Sequence, residues 1–184
     1  MSYAAGAGIV PAPARMGSSM MRPADDARGL IVAAWPRLFR FACALCGDRA
    51  DGEDLAQSAV ERALRGLARY RTGESMEAWL MHIARNLWRD QLRRRRVRGL
   101  AVPEAALDFE VQETPDADDR LVARDALQAF ALLTPEQREV AAMILVQGGG
   151  YRETADALGV PIGTVMSRLA RARRTLIDRL KDEP

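Results

Sequence analysis

The segment Ala155-Asp-Ala-Leu-Gly159-Val-Pro-Ile-Gly-Thr-Val165 constrains this chain more than any other. It has the spacing of a helix-turn-helix. Ala155 is small enough for two helices to cross closely, Gly159 can take a left-handed turn conformation at little steric cost, and Val165 plugs the shared core. Past the turn, Val165, Leu169, Ala172 and Leu176 form an apolar stripe at helical spacing. The opposite face holds Thr164, Ser167, Arg168, Arg171 and Arg174. Hydroxyl and guanidinium groups on a docked helix can reach phosphates and base edges in a major groove. A solvated surface helix also carries charge, but the coincidence of turn and charged face favours DNA.

The rest of the chain reads as helix. Ile31, Ala34, Leu38, Phe41 and Leu45 recur at helical spacing, with Pro36 expected in a first turn or at a kink. A second helix is expected to start at Asp51-Gly-Glu-Asp54, with Asp51 as cap, and to continue through Leu55, Ala59, Ala63 and Leu67. After Thr72-Gly73 a long helix carries Met76, Leu80, Ile83 and Leu87 into Arg93-Arg94-Arg95-Arg96. Further on, a helix over 120–132 precedes Thr134-Pro135-Glu136-Gln137, which has the form of a capping box with proline in the first helical position. The apolar run 141–146 reads as a buried core helix.

Charge divides the chain. Residues 1–24 carry +2, 25–98 carry +5, 99–119 carry −7 and 120–184 carry +2. Two basic blocks thus flank an acidic connector, and the expected architecture is all-α: a disordered tail over 1–24, a helical domain over 25–98, an acidic flexible linker over 99–119 and a helix-turn-helix domain over 120–184. Arg85, Arg89, Arg93 and Arg96 fall on one helical stripe, and residues 85–98 hold seven arginines against the single Asp90. Such a stripe binds phosphate backbone in a salt-dependent way. A helix C-terminus attracts a few cations through its dipole, but not seven.

Two cysteines, Cys43 and Cys46, cannot form the paired framework of a small secreted domain. They are too few for a structural zinc, and His82 is remote in sequence, so core packing is expected, with no metal and no cofactor. No stretch reads as a membrane span or a signal peptide, which implies a cytoplasmic protein without membrane insertion. No nucleophile and base arrangement is visible, so no catalytic site is expected.

With these residues in view, the chain resembles the extracytoplasmic-function group of bacterial RNA polymerase sigma factors. Gly163-Thr-Val-Met-Ser-Arg-Leu-Ala-Arg-Ala-Arg173 resembles the recognition helix of the family's region four. Asp54-Leu-Ala-Gln57 and Trp79-Leu-Met-His-Ile-Ala-Arg-Asn86 through Arg96 resemble its region two, in the expected order. The resemblance implies that Asp54 and Gln57 bind core RNA polymerase. It also implies that Tyr70, Arg71, Thr72, Ser75, Arg85, Asn86, Arg89, Arg93 and Arg96 meet the minus-ten element of promoter DNA. Thr164, Ser167, Arg168, Arg171 and Arg174 would then read the minus-thirty-five element, and an anti-sigma factor would hold the chain inactive. Met166 stands where the family usually has a basic residue. A helix-turn-helix regulator acting without polymerase, or an enzyme using the cysteine pair, are the competing classes.

Overall fold

The computed structural model describes residues 23–70, 75–98 and 125–181. Most of the expected tail, the loop residues Arg71 and Thr72, and the acidic linker lie outside these residues. Every regular element described is helical. Helix α1 spans Pro23–Cys46, so it starts inside the stretch read as tail, and Pro36 sits in its interior rather than in a first turn. Ile31, Ala34, Leu38, Phe41 and Leu45 are all buried along one side of it. The segment Ala27–Cys46 is also long and apolar enough to cross a membrane, with mean hydropathy 1.4, contrary to the sequence reading. Its apolar side here forms the core of a helical bundle.

Gly47 ends α1 with φ +68°, and its N–H donates to the Cys43 carbonyl at 2.7 Å. Helix α2, Arg49–Arg65, is capped by Asp48, whose carboxylate accepts from the Asp51 amide at 2.7 Å. Asp51 is therefore a first-turn acid and not the cap, because the chain turns three residues earlier than its acidic cluster implies. Leu55, Ala56, Ala59 and Ala63 face the core. A short 3₁₀ turn, Leu67–Arg69, follows. Helix α3, Met76–Val97, begins at Ser75, whose Oγ accepts from the Ala78 amide at 3.3 Å. The helices α1, α2 and α3 each pack on the other two. Full burial of Leu38, Phe41, Leu45, Leu55 and Leu80 contributes on the order of 1.5–3 kcal/mol each to this bundle.

The second half opens with α4, described over 125–131. The expected capping box is present at the start of α5, Pro135–Ala141: the Gln137 amide donates to Thr134 Oγ1 at 3.3 Å, and the Thr134 amide donates to Gln137 Oε1 at 3.2 Å. The apolar run continues as a π-helical turn, Ala142–Val146. Ala142 and Met143 are buried there but Leu145 is exposed, so the run is a half-buried turn and not a core helix. Gly150 precedes α6, Tyr151–Leu158, and Glu153 accepts from its amide at 3.4 Å, which supplies the part of a cap that glycine lacks a side chain to make.

Gly159 takes φ +66° between α6 and α7, Ile162–Lys181. Val165, Leu169 and Ala172 are buried and Leu176 packs at the margin, as the stripe predicted. The two halves do not stand apart. Helix α5 and the π-helical turn lie against α1, and one continuous apolar core runs through both halves.

Candidate nucleic-acid interface

On α7 the three-residue face Ser167, Arg171 and Arg174 is exposed, opposite the buried stripe that docks the helix. The Ser167 hydroxyl donates to the Thr164 carbonyl at 3.1 Å, which holds it against the first turn. Thr164 and Arg168 are half-buried. Arg168 lines a cleft with Arg89, Arg93 and Arg96, so the recognition helix of one half faces the basic stripe of the other. Met166, at the position resembling a basic one, is 55% exposed.

The basic stripe on α3 is partly spent within the chain. Arg85 is only 6% exposed, which corrects its expected place on a solvent-facing DNA surface. It points at α5, where its Nε lies 3.9 Å from Glu139 Oε1, too far for a hydrogen bond. Burial pulls the Arg85 guanidinium below its ordinary pKa, while the Glu139 charge acts the other way. Arg89 Nη2 donates to Glu139 Oε2 at 3.0 Å. Its Nε is 2.6 Å from Glu139 Oε1 but is not aligned to donate, so that contact is ionic only. Arg96 Nη2 donates to Glu136 Oε1 at 3.1 Å. Burial alone would raise the Glu136 pKa, but hydrogen bonds from its own amide, Arg96 and Thr134 outweigh it and hold the carboxyl below its ordinary value.

Arg93 is exposed and 3.6 Å from Asp90, and Asn86 shares a 2.9 Å hydrogen bond with His82. Tyr70 is half-buried with its ring 5.3 Å from that of Trp79. Ser75 is exposed but its oxygen is engaged as the cap of α3. On α2, Asp54 and Gln57 are exposed on one face, where Gln57 donates to Glu53 Oε1 at 3.3 Å. Neither contributes to the core, so nothing in the fold itself accounts for them.

Cys43 is buried against α2, where it faces Gly52. Burial raises its thiol to about 12 and raises that of Cys46 further, so both are protonated at neutral pH and unfit as thiolate nucleophiles. Iodoacetamide at pH 8 should therefore leave both unmodified in the folded chain over times that fully modify glutathione. Rapid labelling of either, read by mass spectrometry, would contradict this burial.

Sequence reasoning missed Arg138. This guanidinium, 6% exposed, donates to five backbone carbonyls: Phe130 at 2.9 Å, Ala131 at 2.7 Å, Leu133 at 3.1 Å, Cys46 at 2.7 Å and Leu45 at 3.5 Å. It thereby ties the C-terminal carbonyls of α1 to carbonyls at and just past the end of α4. Gly47 lies in the same contact, since a Cβ there would stand 2.8 Å from Ala131 Cα. The available signal was an Arg-Glu pair one residue before a fully apolar run, in a helix too short to be amphipathic by period.

Comparison with known proteins agrees with this geometry. Residues 30–98 match the family model Sigma-70 region 2, and residues 123–176 match Sigma-70, region 4. The chain is 37% identical over 149 residues to ECF RNA polymerase sigma factor SigE of Mycolicibacterium smegmatis, covering 78% of this chain and 57% of that one. It is 32% identical to ECF RNA polymerase sigma factor EcfG of Rhodopseudomonas palustris, covering 83% of each. Among solved structures, the sigma factor RpoE of Bartonella quintana, crystallised with the anti-sigma factor NepR, superposes with a TM-score of 0.65 at 29% identity, over 86% of this chain and 99% of that one. A basic helix followed along the chain by a helix-turn-helix, together with these family matches and relatives, identifies the chain as a member of the ECF group of RNA polymerase sigma factors, which direct transcription initiation at specific promoters.

Proposed function

We propose that this chain binds core RNA polymerase through the α2 face bearing Asp54 and Gln57, meets the minus-ten element along α3, and reads the minus-thirty-five element with α7. It works by binding alone, in the cytoplasm, and an anti-sigma factor of the kind seen with the Bartonella relative controls it. The observation that carries the reading is the pair of exposed polar faces, Asp54 with Gln57 and Ser167 with Arg171 and Arg174, whose side chains add nothing to the apolar core. Tyr70, Arg71, Thr72 and Ser75 flank the start of α3, where an aromatic beside a polar loop can receive an unstacked base. Asn86, Arg89, Arg93 and Arg96 follow along the helix as phosphate contacts.

The test is the double substitution Asp54→Ala and Gln57→Ala. Both side chains are exposed and alanine favours helix, so helix content and melting should stay as in the parent while affinity for core polymerase falls by about tenfold or more. Unchanged affinity in the folded double variant removes this surface from the account.

Arg171 supplies a second expectation. Arginine's planar fork can address guanine with two hydrogen bonds, worth about 1–3 kcal/mol of discrimination, whereas a phosphate contact contributes affinity with little sequence preference. Arg171→Ala should weaken promoter binding without unfolding α7, whose buried stripe is untouched. Binding to single-base variants of the element across a salt series separates the two contacts. Lost preference at one position marks a base contact, and a lower slope for all sequences marks a phosphate contact. Parent-like affinity, preference and slope would mean that Arg171 faces solvent.

A further inference from the structure

The exposed side of α7 is not uniformly polar. Side chains three and four apart share a helix face, so Ser167, Arg171 and Arg174 form one exposed row, and Gly163, Met166 and Ala170 form another beside it. The second row carries one large side chain between two small ones. Met166 is 55% exposed, and its thioether supplies no donor and only a weak acceptor. Nothing lies within 4 Å of where a Cβ on Gly163 would stand, so the fold itself does not call for glycine there. With no side chain at 163 and only a methyl at 170, the helix backbone is free to approach another surface closely, with Met166 projecting between them.

A single exposed methionine is ordinary, but its surroundings here select a partner. From Ile162 to Ile177 the helix holds Arg168, Arg171, Arg173 and Arg174 and no carboxylate. What fits such a face is an anion with a small apolar feature in it. Duplex DNA presents that combination: phosphates along both edges of the major groove and, among its base edges, one apolar group, the thymine C5-methyl. The other bases offer donors and acceptors there, which a thioether cannot engage strongly. Methionine's unbranched, polarisable chain adapts to an irregular apolar contact. Position agrees as well, because the N-terminal residues of a recognition helix meet the base edges and Met166 is near the start of α7. Ile177, also exposed, stands roughly 16 Å further along the helix axis.

We propose that Met166 is a specificity-determining residue, which selects a thymine in the minus-thirty-five element by packing on its C5-methyl group. The inference rests on α7 being the reader of that element and adds the base that one side chain selects. Taking one methyl group out of water is worth about fourfold in affinity. The neighbouring row of Ser167, Arg171 and Arg174 supplies the hydrogen bonds and charge, and Met166 supplies the discrimination that no hydrogen bond can make.

The test uses holoenzyme assembled from the full chain and core RNA polymerase. Its probe is the duplex that this holoenzyme enriches from a library randomised over the minus-thirty-five element, with a series in which each thymine of that element, on either strand, becomes deoxyuridine in turn. The exchange deletes the C5-methyl and leaves every hydrogen-bonding group in place. At one position it should weaken binding by the parent about fourfold. Met166→Ala should weaken binding to the unmodified duplex to a similar extent and be indifferent to the exchange at that position, so that the two losses do not add. Met166→Leu should keep the sensitivity, and Ile177→Ala, the control, should behave as the parent. All three side chains changed here lie on the exposed side of the helix, away from its buried stripe. An enriched element without thymine, or a deoxyuridine series to which parent and Met166→Ala respond alike at every position, overturns the proposal. So does a Met166→Ala variant that loses affinity for core polymerase, since the face would then be a protein contact. If Arg171→Ala alters base preference while Met166→Ala does not, α7 reads the element and the methionine contact alone is wrong. Holoenzyme that enriches no sequence there at all overturns the reading of α7 together with the proposal.

Discussion

Replacing Arg138 with methionine should destabilise the chain by about 3–5 kcal/mol, measured by chemical denaturation, because it strands several buried carbonyl oxygens at once. The guanidinium serves two carbonyls at the end of α4, that of Leu133 just after it and two at the end of α1, and it is almost wholly buried. Its cost is real, since burial pulls its pKa below the ordinary arginine value. Five dipoles aimed at a fixed fork offset that cost in a way an ammonium cannot match. Arg138→Lys should therefore recover only part of the loss, as a single nitrogen with three donors cannot reach carbonyls spread around a plane. A methionine variant within about 0.5 kcal/mol of the parent would show that water replaces the fork at no penalty, and that the arginine does not organise this junction.

The second large effect is expected at Gly52, where two opposing contributions differ in sign. A Cβ added there would stand 2.6 Å from Cys43 Cα and 2.8 Å from its amide nitrogen, both backbone atoms that cannot swing aside. Against this, alanine gains about 1 kcal/mol over glycine in a helix interior. Overpacking against fixed backbone costs about 1–3 kcal/mol and more where nothing relaxes, so the clash wins. Gly52→Ala should lower stability by about 2 kcal/mol and Gly52→Val by more, with the melting temperature following. A stabilised alanine variant would mean that α1 and α2 do not cross this closely.

These two positions also mark where the sequence stopped being legible. Periodicity and caps are local, and they were readable: the Thr134 box, the left-handed Gly159 and the Val165, Leu169 and Ala172 stripe appear as expected. The exposure of Ser167, Arg171 and Arg174 follows from the same stripe, since fixing the buried side fixes the other, while Thr164 and Arg168, expected on that face, are half-buried. Arg85 failed because its helix phase gave only a stripe of arginines, and which part of that stripe is covered depends on α5, some fifty residues away in sequence. Arg138 and Glu139 go unread in the sequence for the same reason. Charged residues are expected outside unless paired, and their partners here are carbonyls or side chains of another element. Gly52 looked like part of a helix start, because close crossing of two helices leaves no periodic trace. Of the two places expected for Pro36, the first turn is not the one it takes, because proline discourages helix interiors without forbidding them.

The function rests finally on what the chain does to core polymerase, and transcription from a pool of genomic fragments reconstituted with core RNA polymerase and the full chain tests it most directly. Discrete transcripts that core enzyme alone does not make are expected, lost with the Asp54→Ala, Gln57→Ala double variant and reduced for Arg171→Ala. Discrete DNA binding by the chain with no polymerase association and no new transcript would contradict it, and would make the molecule a helix-turn-helix regulator instead.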